Sequence, residues 1–380
     1  MKIMTIRSLL HIILTLVLAT NLSATTKVEK VQRVNDIVDA VLKNHPVPAL
    51  AGGIVTSDGL VAFGYSGIRV KNAKSKVELN DKWLLNSCTK SITATMIAAL
   101  VEDEKLSWET TIKQIFGADA VHPELRDVTL HELLGHRSGL QRDFSIGSAQ
   151  EEQNSGEKII ILRGIFAKQL LSKEPEFERG TYEYSNAGYV IAGHMAEKVT
   201  KKSWEYLVKK YVFRPLGMTR SGFGKPPHGR SSYPHNAVGH RDWDPEKGAP
   251  SFEDTNAPTY GPAGWTHSTI KDWSKFVQEH LKGLNGKKTK ILTNELFEKL
   301  HTPLPGDGDS YALGWGIGNP KTNHEHGGDN HRWNTLMRLN PANDVAFIAA
   351  TNIGHQEGGQ DAVHDLVKAL ETHYFKKMKP

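Results

Sequence analysis

The sequence predicts a mixed α/β (α+β) fold: an antiparallel sheet flanked by N- and C-terminal helices, with an all-helical subdomain inserted. Apolar runs near the start, residues 51–55 and 60–65, and alternating runs near the end, residues 333–339 and 345–351, have the length and patterning of strands. Between them, apolar residues recur at helical spacing. We therefore expect one sheet built from both ends of the chain, with helices in between.

The longest apolar helix is predicted to begin at Ser87. Residues 87–101 are apolar on nearly every face, which is typical of a helix in the centre of a domain. The other predicted helices cover residues 31–42, 130–134, 187–199, 204–212, 271–281 and 361–374. Residues 224–264 are rich in proline and glycine, so we expect a long irregular loop of the kind that often lines an active site.

The first residues have the pattern of a secretory signal. Lys2 and Arg7 precede an apolar run at residues 9–18, and Leu22-Ser23-Ala24 offers a small-residue cleavage site. The run is too short to span a bilayer comfortably, so no stable membrane anchor is expected. We expect residues 1–24 to be removed on export to the periplasm or the medium.

The following residues, 25–376, are predicted to form one domain, with a sheet part at residues 27–85 and 310–376 and a helical part at residues 86–309. A hydrophobic content of 38% and a charged content of 23% fit a soluble globular protein. The net charge of +5 is not gathered into a basic stripe with aromatics, which argues against nucleic-acid binding. Cys88 is the only cysteine and is expected to be buried. The sequence does not indicate an oligomeric state.

Ser87 and Lys90 form the first candidate catalytic pair. If Ser87 opens a helix, Lys90 lies one turn further along the same face, within reach of the hydroxyl. A serine needs a base, and a lysine that is desolvated by apolar neighbours has a lowered pKa and can serve as one. The helix N-terminus also directs backbone N–H groups at developing negative charge. The alternative is an N-cap serine followed by a solvated lysine.

Two further motifs contain polar groups suited to the same chemistry. Tyr184 and Asn186 precede a predicted helix; the tyrosine can relay a proton, and the amide can hold a substrate carbonyl. His326, Gly327 and Gly328 precede the final strand pair, where glycines let a substrate backbone approach an edge strand closely. The alternatives are a buried tyrosine with a satisfied hydroxyl and a glycine-rich turn.

In this order, S-x-x-K, Y-S-N and H-x-G resemble the three signature motifs of the penicillin-recognising serine hydrolases. The resemblance is to the branch that contains class C β-lactamases, D-Ala-D-Ala carboxypeptidases, D-aminopeptidases and related esterases. It extends over roughly residues 31–370 and includes T-L-H-E-L-L-G-H-R-S-G-L at 129–140, F-R-P-L-G-M at 213–218, P-A-G at 262–264 and L-G-W-G at 313–316. It implies a β-lactamase/transpeptidase-like fold, with the active site in the cleft between the sheet and helical parts.

The resemblance also implies a mechanism. Ser87 would be acylated, with Lys90 as its base. Tyr184 would share the proton transfer and serve the leaving group or the deacylating water, and Asn186 would orient the acyl amide of the substrate. The reaction would be acyl transfer to water. No cofactor or metal is implied, and the expected partner is a small-molecule or peptide substrate.

The third motif would complete the substrate site. His326, Gly327 and Gly328 would contact the substrate from the strand, with His326 in the place that a lysine holds in class C β-lactamases. The backbone N–H groups of Ser87 and Asp329 would form the oxyanion hole, whose donors are worth several kcal/mol of transition-state stabilisation.

Two departures from the family pattern bear on the substrate. Gly327 stands where many relatives have Thr or Ser, whose hydroxyl helps to bind the carboxylate of a penicillin or of a peptide C-terminus. Its absence, without a lysine at position 326, weakens the case for a β-lactamase or a carboxypeptidase. Arg332 replaces a small residue, and it is either a substitute carboxylate-binding cation or a solvated strand end.

Some segments imitate other sites. Residues 321–323, Lys-Thr-Asn, resemble the lysine form of the third motif but lack its glycine. His131 and His136 are five residues apart, so they cannot share a metal on one helix face. Residues 324–331 contain three histidines, an aspartate and a glutamate, which alternation along a strand could bring together on a metal; we predict no metal site there.

The sequence therefore predicts an exported serine hydrolase that cleaves an ester or amide bond through an acyl-serine intermediate. A true β-lactamase or D,D-peptidase is one alternative. A penicillin-binding or sensor relative that no longer turns over is the other. The substrate among esters, D-amino-acid peptides and β-lactams stays open.

Overall fold

In the computed structural model, both ends of the chain meet in one seven-stranded sheet. The structure describes residues 31–70, 74–147, 156–226, 257–305, 310–318, 323–330, 332–355 and 358–378, and from Gln32 onward the chain forms one compact unit. The strands are β1 (Gln32–Arg33), β2 (Ala49–Thr56), β3 (Gly59–Gly67), β4 (Trp83–Leu84), β5 (Gly222–Phe223), β6 (Thr266–Ser268), β7 (Gly316–Ile317), β8 (His324–Asp329), β9 (Asn334–Asn340) and β10 (Val345–Thr351). The large sheet has the order β1-β3-β2-β10-β9-β8-β7, and β4, β6 and β5 form a second, smaller sheet.

Helices pack on this sheet and fill the middle of the chain. They are α1 (Asn35–Asn44), α2 (Thr89–Glu102), α3 (Ile112–Phe116), α4 (Leu130–Leu134), α5 (Ile159–Leu171), α6 (Asn186–Thr200), α7 (Trp204–Val208), α8 (Arg214–Leu216), α9 (Gly261–Gly264), α10 (Ile270–Leu284), α11 (Asn294–Leu300) and α12 (Gly359–Met378). The N-terminal α1 and the C-terminal α12 pack together with the sheet in one apolar core, which includes Val38, Phe347 and Leu366. Among the described helices, none is both long enough and apolar enough to cross a membrane.

The prediction of a mixed α/β fold built from both ends of the chain is confirmed. Strand β10, from the C-terminal part, lies between β2 and β9, with Ile348 opposite Gly53 on one side and Met337 on the other. The sheet differs from the prediction at one edge, where β1 pairs in parallel with β3. These two residues were predicted to belong to the first helix, which instead begins at Asn35.

One predicted helix changes its geometry partway. Residues 204–212 were predicted as a single helix, but α7 ends at Val208 and continues as a π-helical turn over Lys209–Phe213. Pro215, in the next turn, has no N–H to donate to the carbonyl of Tyr211, so the regular hydrogen-bond pattern cannot run through this point. The predicted signal at residues 1–24 and most of the predicted loop at 224–264 lie outside the described residues. The boundaries given to the sheet and helical parts stay a prediction.

Helix α2 is central, as its all-apolar pattern indicates. Every side chain from Thr89 to Leu100 is buried. The chain just before β7 crosses the helix closely at Gly314. A side chain would not fit there, because the φ of Gly314 is +83° and a Cβ would lie 2.8 Å from the Cα of Ser91. The hydroxyl of Ser91 donates to the carbonyl of Gly314, which ties the helix to the segment just before β7.

Three buried histidines connect α2 to β8. The hydroxyl of Thr95 donates to the carbonyl of Ser91, so it accepts from Nε2 of His280, 3.1 Å away. Nδ1 of His280 then accepts from Nε2 of His301 at 2.9 Å, and Nδ1 of His301 accepts from Nδ1 of His324 at 2.8 Å. This pattern requires one proton on each ring. Burial lowers the pKa of His280 to about 3 and that of His301 well below 6.5.

We expect the free energy of unfolding to fall as the pH drops below about 6.5. The unfolded chain takes up a proton at each of these histidines near pH 6.5, whereas His280 stays neutral in the folded protein down to a pH of about 3. The contribution of these histidines to stability is therefore fully present above pH 6.5. Below it, the free energy of unfolding falls by about 1.4 kcal/mol per pH unit for each histidine that stays neutral in the folded protein.

Urea unfolding at pH 7.5, 6.5 and 5.5 measures this slope. The His280→Gln variant has one fewer buried imidazole, so its slope should be smaller by up to about 1.4 kcal/mol per unit. Equal unfolding midpoints across this pH range would contradict the expectation.

Candidate active site

Ser87 lies in a tight turn that is anchored on both sides. It is the middle residue of a 3₁₀ turn, Asn86–Cys88, which leads directly into α2. Asn86 is buried with a φ of +47°, and its amide donates to the carbonyl of Trp333 on the way into β9. Ser87 is partly exposed although the residues on either side of it are buried. The turn thus presents one hydroxyl from a rigid, apolar setting.

Lys90 lies one turn beyond Ser87 and is completely buried. Its Nζ is 3.2 Å from Oγ of Ser87, 2.6 Å from Oδ1 of Asn186 and 2.9 Å from the carbonyl oxygen of Ala263. Burial holds the pKa of Lys90 well below its usual value, against the smaller opposing effect of the Asp143 charge. Burial thus favours the neutral amine, which is the form that can accept a proton from a serine.

Asn186 is the first residue of α6, and its side chain is held at both ends. Ser185 caps the helix by accepting from the N–H of Gly188, which fixes the turn that contains Asn186. Oδ1 of Asn186 accepts from Lys90, and Nδ2 donates to Oδ1 of Asp143 at 2.8 Å. A hydrogen-bonded series therefore runs from Asp143 through Asn186 and Lys90 to Ser87.

Tyr184 lies close to both Ser87 and Lys90. Burial raises its pKa, while a side-chain hydrogen bond with Ser87 acts in the opposite direction. The centroid of its ring lies 4.8 Å from Nζ of Lys90. The phenol thus stays protonated at neutral pH beside the nucleophile, where it can pass a proton towards an atom bonded to Ser87.

His326 is buried, and both of its ring nitrogens have partners. Nδ1 is 2.6 Å from the carbonyl oxygen of Gly327, which can only accept, so Nδ1 carries the proton. Nε2 therefore accepts from the hydroxyl of Tyr311 at 3.0 Å. Burial lowers the pKa of His326 to about 3. His326 is thus neutral, and it does not supply the positive charge of the lysine that it replaces.

His136 occupies the centre of a cluster of aromatic rings. It is completely buried, and its centroid lies 4.4 Å from that of Tyr184, 4.6 Å from that of Tyr311 and 5.2 Å from that of Tyr189. Nδ1 accepts from the backbone N–H of Ser185, so the ring positions the segment that carries Tyr184 and Asn186. Burial lowers its pKa well below 6.5.

The two glycines of the third motif have different surroundings. A Cβ on Gly328 would collide with the carbonyl oxygen of Leu85 and lie 2.6 Å from Oγ1 of Thr335, so Gly328 lets β8 approach the turn that holds Ser87. Gly327 is exposed, and a Cβ there would meet only the carbonyl oxygen of Thr335 at 3.8 Å. At Gly328 it is thus the protein's own backbone, at Leu85, that makes the close approach. The space that a substrate could use lies beside Gly327.

Strand β8 offers an edge beside Ser87. Strand β7 pairs only with His324 and Glu325, so in the described part of the chain the remaining residues of β8 pair with β9 alone. Asp329, opposite Asn334 at the end of β8, lines the same pocket as Ser87. Its carboxylate accepts from Nδ1 of His355 at 2.6 Å. The oxyanion hole formed by the N–H groups of Ser87 and Asp329 stays a prediction.

A pocket of about 300 Å³ lies beside Ser87. The described residues that line it come from the α2 turn, the segment before α5, the start of α6, the segment at α9 and the end of β8; they are Ser87, Asp143, Ser145, Gly147, Asn186, Ala257, Tyr260, Ala263 and Asp329. Arg332 is partly buried and does not line the pocket in the part of the chain that the structure describes. Among the same residues, no cluster of histidine, cysteine or carboxylate side chains could hold a metal.

The structure brings the predicted nucleophile, base, tyrosine, amide and third-motif strand together around this pocket. Cys88 is buried, as predicted, with Sγ donating to the carbonyl oxygen of His326, and burial raises its pKa to about 12. Four contributors were not predicted: Asp143, His136, Tyr311 and the carbonyl oxygen of Ala263. Ala263 belongs to the P-A-G motif and His136 to the T-L-x-x-L-L-x-H motif, so the sequence marked both residues but did not indicate what they contact.

Comparison with known proteins shows the class of protein that this fold and site define. The Beta-lactamase family model matches residues 34–370, and the chain belongs to this family of serine hydrolases. The β-lactamase/transpeptidase-like fold class predicted from the sequence is confirmed by solved structures. One is the octameric penicillin-binding protein homologue from Pyrococcus abyssi, which aligns with a TM-score of 0.69 at 23% identity over 89% of this chain and 76% of that one.

Two curated relatives are similar in sequence. The unguisins hydrolase ungD of Aspergillus violaceofuscus is 29% identical over 247 residues, which are 62% of this chain and 42% of that protein. The putative penicillin-binding protein PbpX of Bacillus subtilis is 27% identical over 278 residues, 73% of this chain and 62% of that protein. The chain thus spans less than two thirds of the length of either relative.

The two glycines provide a matched pair of variants. We expect Gly328→Ala to lower the free energy of unfolding by about 1–3 kcal/mol, because the new Cβ pushes β8 away from Leu85 and Asn86. Gly327→Ala should change it by less than about 1 kcal/mol, since its Cβ would make only an ordinary contact with the carbonyl oxygen of Thr335. Urea unfolding of both variants measures the difference, and equal stabilities would show that the strand does not depend on this close approach.

Proposed function

We propose that the chain is an exported hydrolase that cleaves an ester or amide bond through an acyl-serine intermediate on Ser87. The observation that carries the proposal is the buried Nζ of Lys90 at 3.2 Å from Oγ of Ser87. Export is supported by the sequence pattern of residues 1–24. N-terminal sequencing of the protein recovered from the producing cells tests it.

The proposed reaction has two halves. In the first, Lys90 takes the proton of Ser87 while Oγ attacks the substrate carbonyl, and the leaving group departs with a proton delivered through Tyr184. In the second, water gives a proton to the same groups and attacks the acyl carbon, which releases the acid and restores Ser87. Tyr184 is suited to this relay because its side chain hydrogen-bonds Ser87 and its phenol remains protonated at neutral pH.

The third-motif strand favours some substrates over others. His326 is neutral, and both of its nitrogens are engaged by Tyr311 and Gly327, so it offers no cation to a substrate carboxylate. This supports an ester or amide that lacks a carboxylate at this position over a penicillin or a peptide C-terminus. The relative named a penicillin-binding protein is the reason to include β-lactams among the substrates tested.

Reaction with a fluorophosphonate, together with hydrolysis of chromogenic esters, aminoacyl anilides and a cephalosporin, tests the proposal. We expect the wild-type protein to be labelled and to hydrolyse at least one of the substrates. Ser87→Ala should lose the label and at least about a thousandfold in kcat/KM, since the nucleophile is gone. Labelling and turnover that persist in Ser87→Ala would refute the mechanism. Labelling without turnover would indicate a binding or sensor relative.

The role of Lys90 predicts a particular pH profile. Lys90 accepts a proton only when neutral, and burial lowers its pKa well below 10.5, so kcat/KM should rise with pH and level off well below that value. Lys90→Arg keeps a side chain that stays protonated, and it should be inactive across the whole profile. A limb centred near pH 10.5, or an active Lys90→Arg variant, would rule out Lys90 as the base.

A further inference from the structure

We infer that Asp143 is a positioning residue: it holds Asn186 in the one amide orientation that leaves the lone pair of Lys90 free for Ser87. The inference rests on the proposed function, because it takes Lys90 as the base. Asp143 lies outside the three signature motifs, in a segment between α4 and α5 that the sequence did not mark as functional.

The first step is the geometry at Nζ of Lys90. A neutral amine has two hydrogens and one lone pair, and this nitrogen has three neighbours within hydrogen-bond distance. Oδ1 of Asn186 at 2.6 Å and the carbonyl oxygen of Ala263 at 2.9 Å can only accept, so they take the two hydrogens. With Lys90 neutral, as the proposed mechanism requires, the lone pair is left for the third neighbour, Oγ of Ser87 at 3.2 Å, from which it would take the proton.

The second step concerns the orientation of the Asn186 amide. If the amide turned over, Nδ2 would face Nζ and donate to the lone pair, in competition with the hydroxyl of Ser87. The carboxylate of Asp143 excludes this orientation, because it accepts from Nδ2 at 2.8 Å and has no proton to donate to Oδ1. A neutral amide at position 143 would accept either orientation.

The third step is that Asp143 is itself fixed. The carbonyl oxygen of Arg142 accepts from the backbone N–H groups of Asn186 at 2.8 Å and Ala187 at 3.2 Å, and the hydroxyl of Ser185 donates to the carbonyl of Gln141 at 2.7 Å. The segment that carries Asp143 is thus docked on the N-terminus of α6. The guanidinium of Arg142 is 3.7 Å from Asp143, and both side chains are more than half exposed, so this ion pair competes little for the carboxylate.

The charge of Asp143 also acts on Lys90, which gives a second readout. The negative charge raises the pKa of Lys90, so its removal lowers that pKa further and moves the acid limb of activity to lower pH. The groups that face Lys90 are Cys88 on its own turn, Arg142 and Asp143, the rings of Tyr184 and Tyr189, and the neutral imidazoles of His136 and His326. Among these, Asp143 is the group whose negative charge is removed by an isosteric change to an amide.

The test measures the second-order rate constant for labelling of Ser87 by a neutral fluorophosphonate between pH 5 and pH 9. We expect Asp143→Asn to be slower than wild type on the plateau by about tenfold, the loss of one hydrogen bond to a charged group, with its acid limb at lower pH. In an Asn186→Ala background, Asp143→Asn should cause no further loss on the plateau, because Asp143 acts through Asn186. Asp119→Asn, on an exposed turn away from the pocket, removes the same charge and should match wild type.

The outcomes separate this inference from the proposed function. A wild-type plateau rate in Asp143→Asn, or equal losses in the presence and absence of Asn186, would overturn the positioning role while Ser87 is still labelled. Absence of any Ser87-dependent label in the wild type would overturn the proposed function itself. If Asp143→Asn fails to fold, Asp143→Glu retains the carboxylate and should label within about threefold of wild type, and a loss as large as tenfold with native circular dichroism would count against the inference.

Discussion

The amine of Lys90 has no exposed surface, and its burial next to Ser87 constrains much of the surrounding structure. Transfer of an ammonium group out of water costs several kcal/mol, so burial lowers the pKa of Lys90 and favours the neutral amine. Its two hydrogens still need acceptors, and these come from two separate elements, Asn186 at the start of α6 and Ala263 in α9. Both elements must therefore pack against α2, which explains why a helix with no polar face lies at the centre of the domain.

The sheet is joined to this centre by backbone contact. Gly328 brings β8 against Leu85. In the hairpin formed by β8 and β9, the carbonyl of His326 accepts from Cys88 and that of Trp333 accepts from Asn86. The hairpin in turn includes β9, which pairs with β10 in the middle of the sheet. The position of Ser87 relative to β8 is thus set by the core of the sheet. A helical and a sheet element, far apart in sequence, define one pocket because neither can move without breaking these contacts.

Much of this could be predicted from the sequence because it depends on local pattern. The strands at both ends, the apolar helix after Ser87 and the spacing of Ser87 and Lys90 follow from periodicity and from one helical turn. Asp143 and Tyr311 were missed because their roles depend on distances across the fold, which no spacing in the chain encodes. The contact of Gly328 with Leu85 was also missed, because a glycine in a strand signals close approach but the sequence does not say which backbone approaches.

The buried titratable side chains around Ser87 favour their uncharged forms, and this has a consequence for the chemistry. Burial lowers the pKa values of Lys90, His136 and His326 and raises that of Tyr184, so in each case it favours the uncharged form. A free serine alkoxide beside a charged lysine would be costly in such surroundings. In the proposed mechanism, proton transfer to Lys90 would therefore be coupled to the attack of Oγ on the carbonyl, so that the negative charge develops on the substrate oxygen. The predicted oxyanion-hole donors, the N–H groups of Ser87 and Asp329, would then matter more than any fixed charge, because they are the groups proposed to contact that oxygen.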